Sequence, residues 1–526
     1  MTLLNKVIPK DTEVIICGAG PVGLLAACLL GKYQINTLLI EKNSEPYQMP
    51  RAIALDDETL RILQTIGLDH DFRKIAKKAA GLELCSPKGK TLFTITKRAV
   101  SGKDASFLFY SPALEDLLRQ KVMQYDSVIC CYGAEFLDVE PQGNINCQIN
   151  FENKLHSVTS KYLIACDGAN STIREKMNFG WQSFFYTATN LKIDLELDKN
   201  QEYTAFIKKF IGPRGKAYVF LDSWHKHKRV EFALPKNNTN NHSAYLNRLS
   251  GILNTQNFKI LHKAIYQFKS GTAKQWFKNN IVLAGDAAHL MPPYIGQGMC
   301  AGFRDVHNLC SKIMLVEKQG FSATILESYQ KERKPHVRFV ILLTIMVGLL
   351  FTSPLRNVLY ALSLFLPKFV APPIRLKKGF FAPFNLTSHK KSRLSGHLFL
   401  QDYVLNHQGE KIRSDFMLQD GFNLLFFVEE GKNYTSILND EKLHEMLKKF
   451  RIKVIFLHFN PDINSFEYNH YVDHGAFYTW FKKHQQRMAL IRPDNYIFDS
   501  CPLKKPNTHE VIKMLKPLFK LLKDKK

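Results

Sequence analysis

The chain is poor in tryptophan, with four in 526 residues, and poor in acid, with 47 Asp and Glu against 72 Lys and Arg. It lacks a C-x-x-C pair altogether, and its ten cysteines fall singly or inside apolar runs, so neither a zinc knuckle nor a dithiol redox centre is available. Buried thiols in a reducing compartment are the expectation. The first residues, MTLLNKVIPKDTE, hold no apolar core followed by a small-residue cleavage site, which excludes a secretory signal there and points to a cytoplasmic protein. No uncharged apolar run reaches the roughly 18 to 20 residues that a spanning helix needs; FVILLTIMVGLLF, from Phe339 to Phe351, stops at 13. The acid deficit leaves a formal charge of +25, but the basic residues are scattered rather than interleaved with aromatics, and no nucleic-acid motif is present. No nucleic-acid partner and no metal are expected.

What is present begins at Glu13, with EVIICGAGPVGLLAACLLGKYQINTLLIEKN. Val14 to Cys17 reads as a buried strand, Gly18, Gly20 and Gly23 form G-x-G-x-x-G, the alanine- and leucine-rich run that follows reads as a helix, and Thr37 to Ile40 as the next strand. Each glycine has a physical task in such a unit. Gly18 permits the tight turn, Gly20 lets a pyrophosphate approach the backbone, and Gly23 lets helix and strand pack closely; the helix N-terminus then offers unpaired N–H groups to the phosphates. Glu41, 23 residues after Gly18, ends the second strand, where a carboxylate accepts hydrogen bonds from ribose hydroxyls. An acid there favours FAD or NAD over a phosphorylated ribose, without separating the first two.

Three further segments make that choice. They are YLIACDGANSTIREKM, which places Asp167 and Gly168 between a strand and a basic helix; PRAIALDDETLRILQTIGL, which sets Arg51 before a helix capped by Asp56 or Asp57; and NIVLAGDAAHLMPPYIGQGMCAGFRDVHNL, a strand, Gly285-Asp286, and a glycine loop entering a helix. Taken together and in this order, they resemble the group A flavoprotein monooxygenases of the para-hydroxybenzoate hydroxylase fold, with wording most similar to the 3-(3-hydroxyphenyl)propionate hydroxylase branch. The resemblance runs by motifs over residues 12 to about 340, and more loosely beyond.

The resemblance implies an α/β fold: a Rossmann-like FAD-binding domain over 10–180 and 271–338, an antiparallel substrate sheet inserted at 181–270, an apolar helical segment and linker at 339–395, and a thioredoxin-like domain without C-x-x-C at 396–526. It implies that Gly18, Gly20 and Gly23 hold the FAD pyrophosphate, Glu41 the adenosine ribose, Arg51 the diphosphate and Asp286 the ribityl chain. Asp167 joins the cofactor set, and the backbone of Gly296, Gln297, Gly298 and Met299 cradles the flavin pyrimidine edge. Pro293 lies in the loop against the reacting face of the ring. Ser111 stands where family members carry a glutamine. The implied activity is hydroxylation of a phenolic or related aromatic substrate by O2 and NADH or NADPH through a C4a-hydroperoxyflavin. No second glycine fingerprint for the nicotinamide is present, and no W-x-W-x-I-P element, which sets flavin-dependent halogenases aside.

Several residues carry two readings. Asp56 and Asp57 read as helix caps before proton acceptors, His289 as a structural hydrogen-bonding histidine before a base, and Arg174 equally as a clamp on the Asp167-Gly168 turn or a cofactor contact. Tyr218, Phe220 and Tyr294 are candidates to line the substrate pocket, against a plain core role. The apolar run from Phe339, a second from Asn357 to Leu366, and Lys368, Arg375, Lys377 and Lys378 allow a shallow contact with the inner face of a membrane, against burial on the substrate domain. A lipophilic polyketide or quinone acted on at that membrane, and a flavin-binding module that no longer hydroxylates, are the rival functions; the C-terminal domain allows a homodimer.

Overall fold

The computed structural model describes residues 7–46, 52–97, 105–198, 205–211, 216–222, 226–235, 243–352, 368–371, 394–429, 434–459, 469–502, 507–519 and 521–522. Arg51, the run 357–366, Arg375, Lys377 and Lys378 lie outside them. The chain divides into two compact units, Met1–Ala99 with Lys103–His307 and Val337–Pro373, and Val100–Gly102 with Asn308–His336 and Ile374–Lys526. Residues 308–336 group with the C-terminal unit, and 181–270 with the N-terminal one.

In the first unit the apolar strand Asp11–Cys17 pairs in parallel with Thr37–Glu41 on one side and with Lys154–Ala165 on the other. Ile281–Leu283 and Val128–Tyr132 extend the sheet, again in parallel. Val14, Ile15 and Ile16 are fully buried, as a strand covered on both faces requires. The helix Pro21–Lys32 starts with proline in its first turn and buries Gly23 through Gly31 without interruption.

A nine-stranded sheet forms the second layer of strands in this unit, among the described residues. Its longest strands are the antiparallel pair Trp181–Leu197 and Phe258–Ala273 near one edge, continued by His227–Ala233, Tyr218–Asp222 and Phe206–Phe210. The sheet then recruits Gly81–Cys85, in parallel with Phe206–Phe210, and Thr91–Lys97, both from well outside the segment expected to build it. Period-two alternation divides its faces. Leu191, Ile193, Leu195, Val230 and Phe232 bury one face against Leu249 and Leu253 of a short helix.

The second unit carries a seven-stranded sheet. Asn423–Val428 pairs in parallel with Lys453–Phe459 and antiparallel with Gln486–Ile491, which pairs antiparallel with Ile497–Pro502. With helices Glu441–Lys449, Ala476–His484 and Thr508–Phe519 between and after these strands, the order is thioredoxin-like. Among the described residues no helix is long and apolar enough to cross a membrane.

Candidate functional site

Two glycine cradles and one buried acid define the candidate site of the first unit. At the first cradle Gly18 holds φ at 102°, and a Cβ there would lie 2.4 Å from the carbonyl oxygen of Cys166; at Gly23 a Cβ would lie 1.9 Å from the carbonyl oxygen of Gly18. Both glycines are therefore required by the protein's own backbone. Gly20 is different: its φ is −70° and a Cβ would meet nothing within 4 Å. No neighbour demands glycine there, so the open space is what a ligand that touches the backbone would use. Glu41 completes the turn, with Oε2 accepting from the Ala19 backbone N–H at 2.9 Å and Oε1 from the Asn43 backbone at 3.0 Å.

The second cradle is built by the turn Gly285–Ala287 and the loop from Pro293 to the helix Gly298–Gln319. Gly285 and Gly302 pack on Val22 of the first helix, where Cβ atoms would lie 3.1 and 2.6 Å from Val22 Cγ2, so the two cradles are pressed together by missing side chains. Pro293 begins a single 3-10 turn ending at Gly296, which adopts φ 65°. Around Gly298, as around Gly20, a Cβ would meet nothing within 4 Å. Asp286 is exposed in its turn, and Met299 is half-buried at the start of the helix. Ser111, fully buried, opens the helix Ser111–Val122.

Asp167 sits beside the first cradle. Its Oδ2 accepts from the Ile173 backbone at 3.2 Å, while Oδ1 is buried without a hydrogen-bond partner. Burial raises the carboxyl above its ordinary range, against the hydrogen bonds from Ser171 and Ile173. A buried acceptor left open costs about 1–3 kcal/mol, so the site is built for something that donates to it. Arg174 is a clamp: it donates to the carbonyls of Ala169 at 2.8 Å and Ala287 at 3.0 Å, joining the Asp167-Gly168 turn to the Asp286 turn through carbonyls rather than by a charge pair.

Asp56 caps its helix, accepting from Thr59 N at 3.0 Å. Its second oxygen does more, accepting from Gln297 Nε2 at 3.1 Å and Arg304 Nη2 at 2.5 Å, while Arg304 Nε reaches Glu58 at 2.6 Å. This pins the Gln297 side chain and leaves the backbone of the loop to face a ligand. His289 is buried with Nε2 2.7 Å from Asp305, whose oxygen also takes the Gly285 N–H. That geometry is structural.

Two of the aromatic candidates take the plain core position that was their other reading. Tyr218 and Phe220 belong to the apolar face, packed with the Leu191 and Phe232 cluster, and Tyr218 stacks on Phe210 at 4.2 Å. Alternation alone sends them there, because both share a parity with Phe232 and Leu191 rather than with Tyr186. The opposite face carries Tyr186, Asn190, Lys192 and Asp194, opposed by Arg229 and Glu231 on the next strand. Tyr294 meets this face, its hydroxyl 3.0 Å from that of Tyr186. Arg229 Nε lies 2.6 Å from Asp194, and Lys192 lies 4.8 Å from the Tyr266 ring centroid. Burial, with Arg229 nearby, pushes Lys192 down to about 8. A charged face was not foreseen, although the spacing of Asn190, Lys192 and Asp194 at every second position signals it.

The sequence profile of the FAD binding domain family matches residues 11–343, and that of the HcaD C-terminal domain matches 396–515. The chain is 26% identical over 522 residues to the 3-(3-hydroxy-phenyl)propionate/3-hydroxycinnamic acid hydroxylase of Escherichia coli strain K12, covering 94% of this chain and 92% of that protein. It is 25% identical over 519 residues to the probable NADH-specific resorcinol 4-hydroxylase of Rhodococcus jostii strain RHA1, covering 93% and 92%. The fold is shared with the flavin-dependent monooxygenase PieE in complex with FAD and substrate, at TM-score 0.80 and 17% identity over 98% of this chain and 99% of that one. Aklavinone-11 hydroxylase with FAD and aklavinone gives TM-score 0.77 at 15% identity over 97% and 99%. With two cradles shaped for a backbone-hugging dinucleotide and a buried acid open to a donor, the chain belongs to the FAD binding domain family and is an FAD-dependent aromatic monooxygenase.

Proposed function

We propose that the chain hydroxylates a phenolic ring, using dioxygen and NADH or NADPH, with the substrate lying between the charged face of the nine-stranded sheet and the loop from Pro293 to Met299. The observation that carries this reading is the meeting of that loop with a polar sheet face through the Tyr186–Tyr294 hydroxyl pair. Bound FAD supplies the activation of dioxygen and the electrons taken from the nicotinamide.

The chain's own residues do the rest. Gly18, Gly20, Gly23 and the first helix N-terminus take the pyrophosphate, Glu41 and Asp167 accept hydrogen bonds from the cofactor, and Asp286 takes the ribityl side. The backbone N–H groups of Gly296 to Met299 face the edge of the ring where negative charge gathers, fixed in place before the reaction. Pro293 shapes the wall against the reacting face. Ser111 reaches the cofactor through water where a longer side chain would touch it. Lys192 and Asn190, on the buried face, orient a polar ring substituent and help exclude water.

The test is the absorbance spectrum of the purified protein followed by NADH and NADPH consumption under air with 3-(3-hydroxyphenyl)propionate, resorcinol and a panel of quinols. A yellow protein whose consumption rises with one ring compound and forms hydroxylated product is the expected result; a protein that takes up no FAD overturns it.

A second reading concerns the helix Glu327–Thr352. Phe339, Leu342, Met346 and Leu349 are exposed at helical spacing on a helix that also carries exposed Lys331 and Arg338. This supports peripheral contact with an anionic membrane surface. Co-sedimentation with anionic liposomes at low salt is expected; dimerisation without lipid binding, seen by sedimentation velocity, assigns the stripe to a second copy of the chain instead.

A further inference from the structure

One buried lysine on the charged sheet face has no part in the chemistry above. Lys209 lies on Phe206–Phe210 and shares its face with Val219, Glu231 and Lys192 on successive strands, because these four oppose one another in register. Its Nζ donates to the backbone carbonyl of Tyr294 and stands 5.5 Å from the centroid of that ring. Tyr294 is held from two further sides. Its hydroxyl meets Tyr186 at 3.0 Å, and Gly348 packs so closely that a Cβ would lie 2.3 Å from Tyr294 Cε2 and 2.7 Å from the Tyr186 hydroxyl. Tyr294 is the middle residue of the 3-10 turn Pro293–Ile295, which leads through Gly296 into the first turn of the helix at Gly298. Whatever fixes the Tyr294 carbonyl fixes the wall and the N–H groups of the proposed flavin cradle.

A carbonyl needs only a neutral donor. Burying an ammonium costs more than one hydrogen bond to a carbonyl returns, and burial indeed pushes Lys209 down to about 7, with Glu231 acting in the other direction. Lys209 is therefore poised between amine and ammonium, and it gains its charge most readily when a more negative group lies beside the loop whose carbonyl it holds.

We propose that Lys209 is a positioning residue: through the Tyr294 carbonyl it sets the Pro293–Gly296 turn against the flavin ring, and its positive charge favours the ring in its reduced, more negative state. This rests on the flavin site proposed above. The test compares K209M, K209Q and K209R with the wild-type flavoprotein in three measurements: bound FAD per chain, the reduction midpoint, and hydroxylated product formed per NADH consumed with the most stimulating phenol. K209M is expected to keep most of its FAD, because the Gly18–Gly23 turn proposed to take the pyrophosphate is untouched. Its equilibrium between reduced and oxidised flavin shifts roughly tenfold toward oxidised, and product per NADH falls roughly tenfold, the scale of one charge-assisted hydrogen bond. K209R restores most of both. K209Q, which keeps a neutral donor, shows the same shift in midpoint with a smaller loss of coupling, and carries the test where the methionine variant does not fold. Y186F, which loosens Tyr294 without removing charge, lowers coupling and leaves the midpoint in place. A wild-type midpoint in K209M or K209Q overturns the proposal, as does K209R behaving like K209M. Failure of the wild-type protein to bind FAD is a separate result, and overturns the site as a whole.

Discussion

Both compact units bury paired charges, and one carboxylate in each, Glu332 and Asp167, shows a different outcome. In the second, Glu332 accepts from Arg492 Nη1 at 3.1 Å and Nη2 at 2.9 Å, and from Lys312 Nζ at 2.8 Å; Arg492 also pairs with Asp494, and Asn308 bridges Glu332 and Asp494. Each buried group is answered by another, and the network closes on itself. In the first unit the Asp167 carboxylate keeps one oxygen without a hydrogen bond, and the space around Gly20 and Gly298 is open. The contrast separates a framework from a receptor: a network that satisfies itself contributes specificity of packing, and a buried acceptor left open is a cost that only a ligand recovers.

Four experiments break or sharpen this contrast. The largest effect is expected from Gly23→Ala, whose Cβ would lie 1.9 Å from the Gly18 carbonyl. The turn must open, and FAD affinity should fall on the order of a hundredfold or more, read as flavin absorbance surviving gel filtration. Arg492→Leu should cost about 3–5 kcal/mol in the unfolding transition of the second unit, because it strands the Glu332 carboxylate, and should leave FAD content unchanged. Loss of flavin in that variant would erase the distinction between framework and receptor.

The third concerns acid. Burial alone would raise the Glu332 carboxyl, but Arg492 and Lys312 outweigh it and hold the group at about 2 against an ordinary 4.5. A carboxyl lowered on folding stabilises the fold fully above its unfolded value, and that contribution is lost as pH falls from 4.5 toward 2. Denaturation midpoints measured across this window should fall for the wild type by an amount of order 3 kcal/mol, and the decline should be missing in Glu332→Gln. The smallest effect is expected from Asp167→Asn, which removes charge from an oxygen that already lacks a protein donor. FAD affinity should drop roughly tenfold with little change in stability, measured by flavin fluorescence titration beside a melting curve. A stability loss without a change in affinity would make Asp167 a framework residue like Glu332.

The parts legible in the sequence are those built from neighbouring residues. The strand, glycine turn, helix and acid from Val14 to Glu41 follow from a local apolar rhythm interrupted by glycines, two of which, Gly18 and Gly23, backbone crowding requires. The cap at Asp56 and the hydrogen-bonded role of His289 were readable for the same reason. The two readings of Tyr218 and Phe220 show the limit of local pattern: alternation identifies two faces and does not say which one meets the Pro293–Gly296 loop. The Tyr186–Tyr294 contact, across 108 positions, and the contact of Lys209 with the Tyr294 carbonyl fix that.

The sequence by itself determined the dinucleotide cradle, because steric demands on a glycine and the period of a strand act over a few residues; the thioredoxin-like module without C-x-x-C and the class of chemistry were legible through family resemblance of whole motifs. Tertiary structure decided the recruitment of Gly81–Lys97 into the substrate sheet, the clamp of Lys209 on Tyr294 and the grouping of Asn308, Lys312, Glu332 and Arg492. Those contacts join residues up to 186 positions apart, and such pairings are chosen by the burial of whole faces and the mutual satisfaction of charges, terms that do not exist until the chain has folded.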